Sequence, residues 1–310
     1  MRYLIPSLDM QAKIIIKGHL LNPIWDSHDE RRKKRRDAIV DAKMGYLRQY
    51  DDVVKAIKAS YTESMSEGAS EQEHVFTLWL QGEQQAPEIV KACFESMRRH
   101  INLPLLVLDE NTIFDWISLP DHIMDKWEKG MITRTHFSDI CRIELLYEHG
   151  GIWADATDFF TSSIPSYVIN EDFFLFMAGS NIKLGGTHAF IQSCFMRMRK
   201  GNPLLGMWRE LLFKYWENEN QLLDYFTLHF LFKYLVENND EAAKLFSSMP
   251  KINQDPTHVL FCEYKDAPYS PQFYEEITGK TFFQKTTYKD KSARKPIPGS
   301  IAEYIISQNR

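Results

Sequence analysis

The sequence predicts an α/β fold, and three observations carry that prediction. Between residues 74 and 160, short apolar runs alternate with segments of helical period, the order that lays strands into a mainly parallel sheet. The apolar runs close on glycine or polar residues, at the strand ends where open α/β sheets bind their ligands. Hydrophobic residues make up 44% of the 310, so the chain can bury a substantial core.

The elements follow in order. Residues 1–27 hold a short β-like run (Ile14 to Ile16). From Asp29 to Lys58 the chain is charged, and Ile39, Val40, Met44, Leu47, Val53, Val54 and Ile57 recur at near-helical spacing, predicting one or two amphipathic helices. Residues 61–73, YTESMSEGASEQE, are polar with Gly and Ser and read as a linker. HVFTLWLQG reads as a strand ending at Gly82. APEIVKACFESMRRH reads as a helix, with Pro87 in its first turn, where proline is tolerated. LPLLVLDENT is a second strand, followed by a helix over 111–129. Thr135 to Glu148 is a helix with Thr135 as N-cap and Gly150 and Gly151 as its stop. GIWAD is a short buried strand that delivers Asp155 at its carboxyl end. Helices over 204–214 and 222–236 precede a β-rich or irregular tail. The implied organisation is a partly helical extension at 1–73, a domain at 74–290 and a tail at 291–310.

The bulk properties narrow the function. A net charge of -5 gives no global electrostatic case for nucleic acid. The four cysteines, Cys93, Cys141, Cys194 and Cys262, have no CxxC spacing and read as reduced thiols of a cytosolic protein. Residues 1–21 have only short apolar runs, far from the ~20 a spanning helix needs. The basic run Arg31 to Arg36 reads first as a solvated helix face, second as a contact with the anionic inner membrane leaflet.

One stretch, HFSDICRIELLYEHGGIWADATDFF (His136–Phe160), carries charge inside an apolar segment. His136, Asp139 and Arg142 lie at three-residue steps on one helix face. They either pair among themselves or serve a ligand; spacing alone leaves both open. Asp155, at a strand end beside that ridge, is suited to a hard cation such as Mg²⁺ or Mn²⁺, with Thr157 following. Asp158, one residue on, is expected to face the opposite side of an extended strand. Tyr147, Trp153, Trp216 and His229 are assigned to the core.

Taken together, Ser138-Asp139-x-x-Arg142…Gly150-Gly151-Ile152-Trp153-x-Asp155-Ala156-Thr157 resembles the signature of the capsular polysaccharide synthesis family of bacterial glycosyltransferases. That family is related to DXD-containing mannosyltransferases and, more distantly, to glucosylating toxins. WLQG with the following helix, KGNPLL (Lys200–Leu205), KYW (Lys214–Trp216), LDYFTLHFLF (Leu223–Phe232) and QKTTYK (Gln284–Lys289) resemble its other blocks, so the likeness spans roughly residues 74–290. It implies a GT-A type, Rossmann-like nucleotide-sugar-binding domain with helical additions. It implies transfer of a hexose from a nucleotide-diphospho-sugar, UDP-linked foremost, to a lipid-linked or oligosaccharide acceptor, with retention of configuration. By the resemblance, Trp79 and Gln81 meet the nucleotide, while Ser138, Asp139, Arg142, Ala156, Gln192 and Ser193 surround the donor. Asp155, Asp224 and Lys285 carry the chemistry, and Asp155, Thr157 and Gln284 hold Mn²⁺ or Mg²⁺. Two departures weaken the metal: Thr157 stands where a strict DXD motif has its second acid, and Gln284 where the family has histidine. The alternative is a degenerate member that binds a sugar nucleotide or assembly partners without turnover.

Overall fold

The computed structural model describes residues 31, 34, 35, 37–60, 72–179 and 190–308. The β-like run at 14–16 and nearly all of the predicted linker lie outside them. The chain divides into two compact units, Met1–Arg48 and Gln49–Arg310. In the first, residues 37–47 are helical, as the apolar spacing predicts. The second holds the sheet and all the elements named next.

Its sheet has five strands: β1 (Val75–Leu78), β2 (Leu105–Leu108), β3 (Gly151–Ala154), β5 (Phe173–Met177) and β6 (Ile191–Met198), in the order β2-β1-β3-β6-β5. β4 (Asp158–Phe160) and β7 (Phe283–Lys285) form a separate two-stranded ribbon. The helices are α1 (Asp51–Ala56), α2 (Glu88–His100), α3 (Asp121–Glu128), α4 (Arg134–His149), α5 (Ser166–Ile169), α6 (Pro203–Asn218), α7 (Thr227–Asn238), α8 (Asp240–Ser247), α9 (Val259–Tyr264), α10 (Pro271–Thr278), α11 (Lys291–Arg294) and α12 (Ile301–Ser307).

The sheet is mixed rather than mainly parallel. β1 runs parallel to β2 and β3, but β6 is antiparallel to both β3 and β5. Continuous buried runs such as FFLFM and IQSCFMRM do not encode strand direction, so the sequence pattern leaves this pairing unread. The helix predicted over 111–129 is a short 3-10 turn and then α3. Pro120 caps α3, and its ring disfavours helical geometry in the residue before it. The tail is mostly helical, α9 to α12, with β7 its one named strand.

α4 is where local chemistry fixes the site. Its N-cap is Thr133, not Thr135: the Thr133 hydroxyl accepts from the His136 N–H, three residues on, as capping requires. The helix stops at Gly150 (φ 66) and Gly151 (φ 91). A Cβ on Gly150 would lie 2.5 Å from the Lys200 nitrogen, and one on Gly151 2.4 Å from the His74 carbonyl oxygen. Only glycine permits both the left-handed backbone and the approach that seats β3 beside β1. Ile89, Val90, Phe94 and Met97 of α2 join Phe160, Phe174, Phe195 and Phe283 in the buried core, under the sheet and ribbon.

Candidate functional site

The chain runs from β1 to β2 on one side of the sheet and returns to β3 on the other. The carboxyl ends of β1 and β3 therefore flank a switch in strand order, the place where open sheets leave a ligand crevice. A cavity of about 270 Å³ lies there. The segment after β1 contributes Trp79 and Gln81 to its wall, and β3 with the turn after it contributes Trp153, Asp155, Ala156 and Thr157. α4 contributes Thr135, Ser138 and Arg142, and Tyr288 closes one side. Trp79 and Tyr288 meet edge to face at 5.1 Å.

Asp155 is the hub. Lys285 Nζ donates to its Oδ2 at 2.6 Å, and the Trp153 indole N–H donates to its Oδ1 at 2.9 Å. Arg142 Nη2 stands 3.1 Å from the same Oδ1 and 3.1 Å from Asp139 Oδ1. The guanidinium lies over the Trp153 ring at 4.9 Å, and its Nη1 donates to the Ser193 hydroxyl at 2.8 Å. His136 Nδ1 reaches Asp139 Oδ2 at 3.2 Å. The pairing reading of the ridge is realised: Asp139 and Arg142 pair, and Arg142 also reaches the wall carboxylate of Asp155. Burial alone would raise Asp155, but the Lys285 and Arg142 cations outweigh it and hold the carboxyl below its usual range. Burial likewise disfavours the Lys285 charge, and Asp155 and Asp158 more than restore it, so the ammonium stays protonated.

Several expected residues lie elsewhere. Asp158 does not face away: residues 155–158 make a turn, with the Asp158 N–H on the Asp155 carbonyl at 2.9 Å, so strand alternation does not apply. Its Oδ1 accepts from Lys285 at 3.0 Å. Gln284 is wholly buried; its oxygen accepts from Leu260 N–H at 3.0 Å and its amide donates to the Pro256 carbonyl at 2.9 Å. Lys285 faces Asp155, so its strand neighbour faces the other way. Asp139 sits behind Arg142, off the cavity wall. Gln192 pairs with Phe176 at the sheet's irregular end and is also off the wall. Asp224 precedes α7 rather than lying on a helix; its Oδ1 accepts from Phe226 N–H at 3.0 Å, and it too is off the wall. Ser193 is buried and hydrogen-bonds His229 Nε2 at 3.2 Å, which keeps His229 in the core as expected.

Tyr288 is a wall residue that the sequence pattern does not single out, while Trp153 and Asp158 are read there as core and as facing away. Tyr288 lies in the QKTTYK block, so a signal for it exists. Trp153 reads as packing because it is buried, yet its indole nitrogen orients Asp155.

The expected metal set does not assemble. Gln284 is committed to two backbone groups on the far side of β7. Of the rest, Asp155 and Thr157 face the cavity, and both Asp155 oxygens already hold donors. Among the described residues no group of three or more His, Cys, Asp or Glu side chains is placed to bind a metal ion. A divalent cation at Asp155 would share that carboxylate with Lys285 and Arg142, and the cavity wall offers it no second carboxylate among the described residues.

Fold and site together define an α/β protein with a switch-point crevice, aromatic on one wall and lined at its base by a carboxylate clasped between two cations. A family profile described as "Capsular polysaccharide synthesis protein" matches residues 26–305, and the chain belongs to that family. Among solved structures, the chain titled "PaToxG Glycosyltransferase" is similar with a TM-score of 0.39 at 10% identity, over 79% of this chain and 94% of that one. No curated protein matches.

Proposed function

We propose that this chain is a GT-A type glycosyltransferase. It moves a hexose from a nucleotide-diphospho-sugar, UDP-linked foremost, to a saccharide acceptor in capsular or cell-surface polysaccharide synthesis. The observation that carries the reading is the convergence of Lys285 and Arg142 on Asp155, at the base of a crevice walled by Trp79 and Tyr288.

Aromatic walls suit a nucleobase. Gln81 and Ser138 offer hydrogen bonds to ribose and sugar hydroxyls. In the reaction the bond from the anomeric carbon to the diphosphate breaks, a bond to the acceptor hydroxyl forms, and that hydroxyl's proton passes to an oxygen of the leaving diphosphate. Negative charge grows on the leaving diphosphate, and Lys285, one hydrogen bond behind the wall residue Asp155, supplies the ammonium that stabilises it. Arg142 fixes Asp155 and Asp139 so that neither has to reorganise as charge moves. Asp224 and Gln192 enter only if donor binding draws their segments inward. We assign residues 74–290 as the catalytic domain, with retention of configuration. The acceptor is a lipid-linked or free oligosaccharide at the inner membrane face, which the basic run Arg31 to Arg36 helps the protein approach.

Thermal unfolding with UDP-, GDP- and CMP-sugars, each with Mn²⁺ or with EDTA, tests this. A UDP-sugar at a hundredfold excess over Kd should raise Tm by roughly 5 °C. The shift should survive EDTA, because Lys285 and Arg142 already supply the positive charge, and should vanish in Lys285→Ala. No shift with any sugar nucleotide would end the proposal.

A further inference from the structure

Asp158 has no role in that reaction, and its setting is costly. It is fully buried, sits directly opposite Lys285 in the β4–β7 register and accepts from Lys285 Nζ at 3.0 Å. Its second oxygen, Oδ2, has no hydrogen-bond partner among the described residues. A buried carboxylate with an unsatisfied oxygen destabilises a fold unless it serves something. Burial pushes the carboxyl up to about 7 against the pull of Lys285.

Resting on the glycosyltransferase reading, we propose that Asp158 is a positioning residue: it tethers Lys285 from inside the protein, so that the ammonium can exchange Asp155 for the donor diphosphate without leaving the site. Lys285 has two carboxylate anchors, and they differ in exposure. The Asp155 side chain is 25% exposed on the cavity wall; that of Asp158 is 0% exposed. An incoming diphosphate can compete only for the outer bond. The inner one stays, because the strand bearing Asp158 is held on both sides. The Thr157 carbonyl accepts from Thr286 N–H at 2.8 Å and from the Thr286 hydroxyl at 2.9 Å, and the Phe160 N–H donates to Ser96 at 2.8 Å. A lysine on a flexible four-carbon stem needs such an anchor to act as a fixed charge.

This role and simple electrostatics predict opposite signs. Asp158 is also a negative charge beside a site for an anion, so removing it should tighten phosphate binding if charge alone matters. If it is the tether, removal loosens it. Calorimetry at pH 8 on the full chain, with inorganic pyrophosphate, UDP and uridine, separates the two. Asp158→Ala should weaken UDP and pyrophosphate about tenfold, the loss of one charge-assisted bond, and leave uridine unchanged. Asp158→Asn should fall between, keeping the acceptor oxygen but not the charge. In a Lys285→Ala background neither substitution should have further effect, because the tether acts only through that lysine.

Tighter or unchanged UDP binding in both variants overturns the proposal. So does an equal loss when Lys285 is absent, which marks a structural residue. If Asp158→Ala does not fold, the isosteric Asp158→Asn and its pairing with Lys285→Ala separate the same two outcomes. If the wild-type chain binds neither UDP nor pyrophosphate, the donor-site reading itself has failed and the tether falls with it.

Discussion

Asp155, Asp139, Arg142 and Lys285 meet at distances of 2.6–3.1 Å. Lys285 lies in the polar run QKTTYK and is signalled only by the family resemblance, whereas Asp155, Asp139 and Arg142 are charged residues embedded in apolar sequence. That contrast makes them legible: a charge costs too much in such a segment to lack a partner. Asp158 escapes the pattern because the three residues between β3 and β4 form a turn, which a period-two rule does not see. Gln284 escapes it because a side chain's direction depends on a partner strand more than a hundred residues away. His229 illustrates a different residue-level consequence. Burial pushes its imidazole down to about 4; Asp139 pulls the other way, and Arg142 adds to the shift. Its folded pKa lies below the unfolded value of about 6.5. Its contribution is therefore fully present above pH 6.5 and is lost as pH falls through 4. His229→Gln should lose roughly 2–3 kcal/mol less stability than wild type between pH 7.5 and 4. Urea unfolding of both proteins across that range checks it, and parallel curves would refute it.

Among the elements, α2 and α4 are legible to within two residues because their boundary signals are local: a proline at one start, two glycines at one end. β5 and β6 are not, since their apolar runs lack alternation and their partner strands are set by topology. One cap spans two elements. Asn239 Oδ1 accepts from the Glu241 and Ala242 N–H groups at 3.1 Å each, opening α8. Its Nδ2 donates to the Val54 carbonyl at 2.7 Å and the Ile57 carbonyl at 3.0 Å, fastening α1. Asn239→Ala removes the cap and strands two carbonyls. It should cost roughly 2–4 kcal/mol by denaturant unfolding. A loss under about 1 kcal/mol would mean that α1 is held by other contacts.

At the scale of the molecule, a net charge of -5 coexists with six consecutive basic residues, Arg31 to Arg36. Arg31, Lys34 and Arg35 are exposed on helical backbone. Among the described residues no helix is long and apolar enough to cross a membrane. Each basic residue near an anionic surface contributes about 1 kcal/mol. Replacing all six with Gln should therefore abolish sedimentation with phosphatidylserine vesicles at low salt, and wild-type binding should weaken as salt rises. Equal binding by both proteins would leave the run a solvated helix face.

Asp155 and the lysine that neutralises it are separated by 130 positions along the chain. A ribosome adds ~5–20 residues per second, so Lys285 is made on the order of ten seconds after Asp155. During that interval Asp155 has Arg142 as its cation, and the buried Asp158 lacks the Lys285 ammonium it accepts from. On the proposed reading, donor affinity is an attribute of the nearly finished polypeptide, and a sugar nucleotide would reward only chains whose synthesis has passed the β7 ribbon.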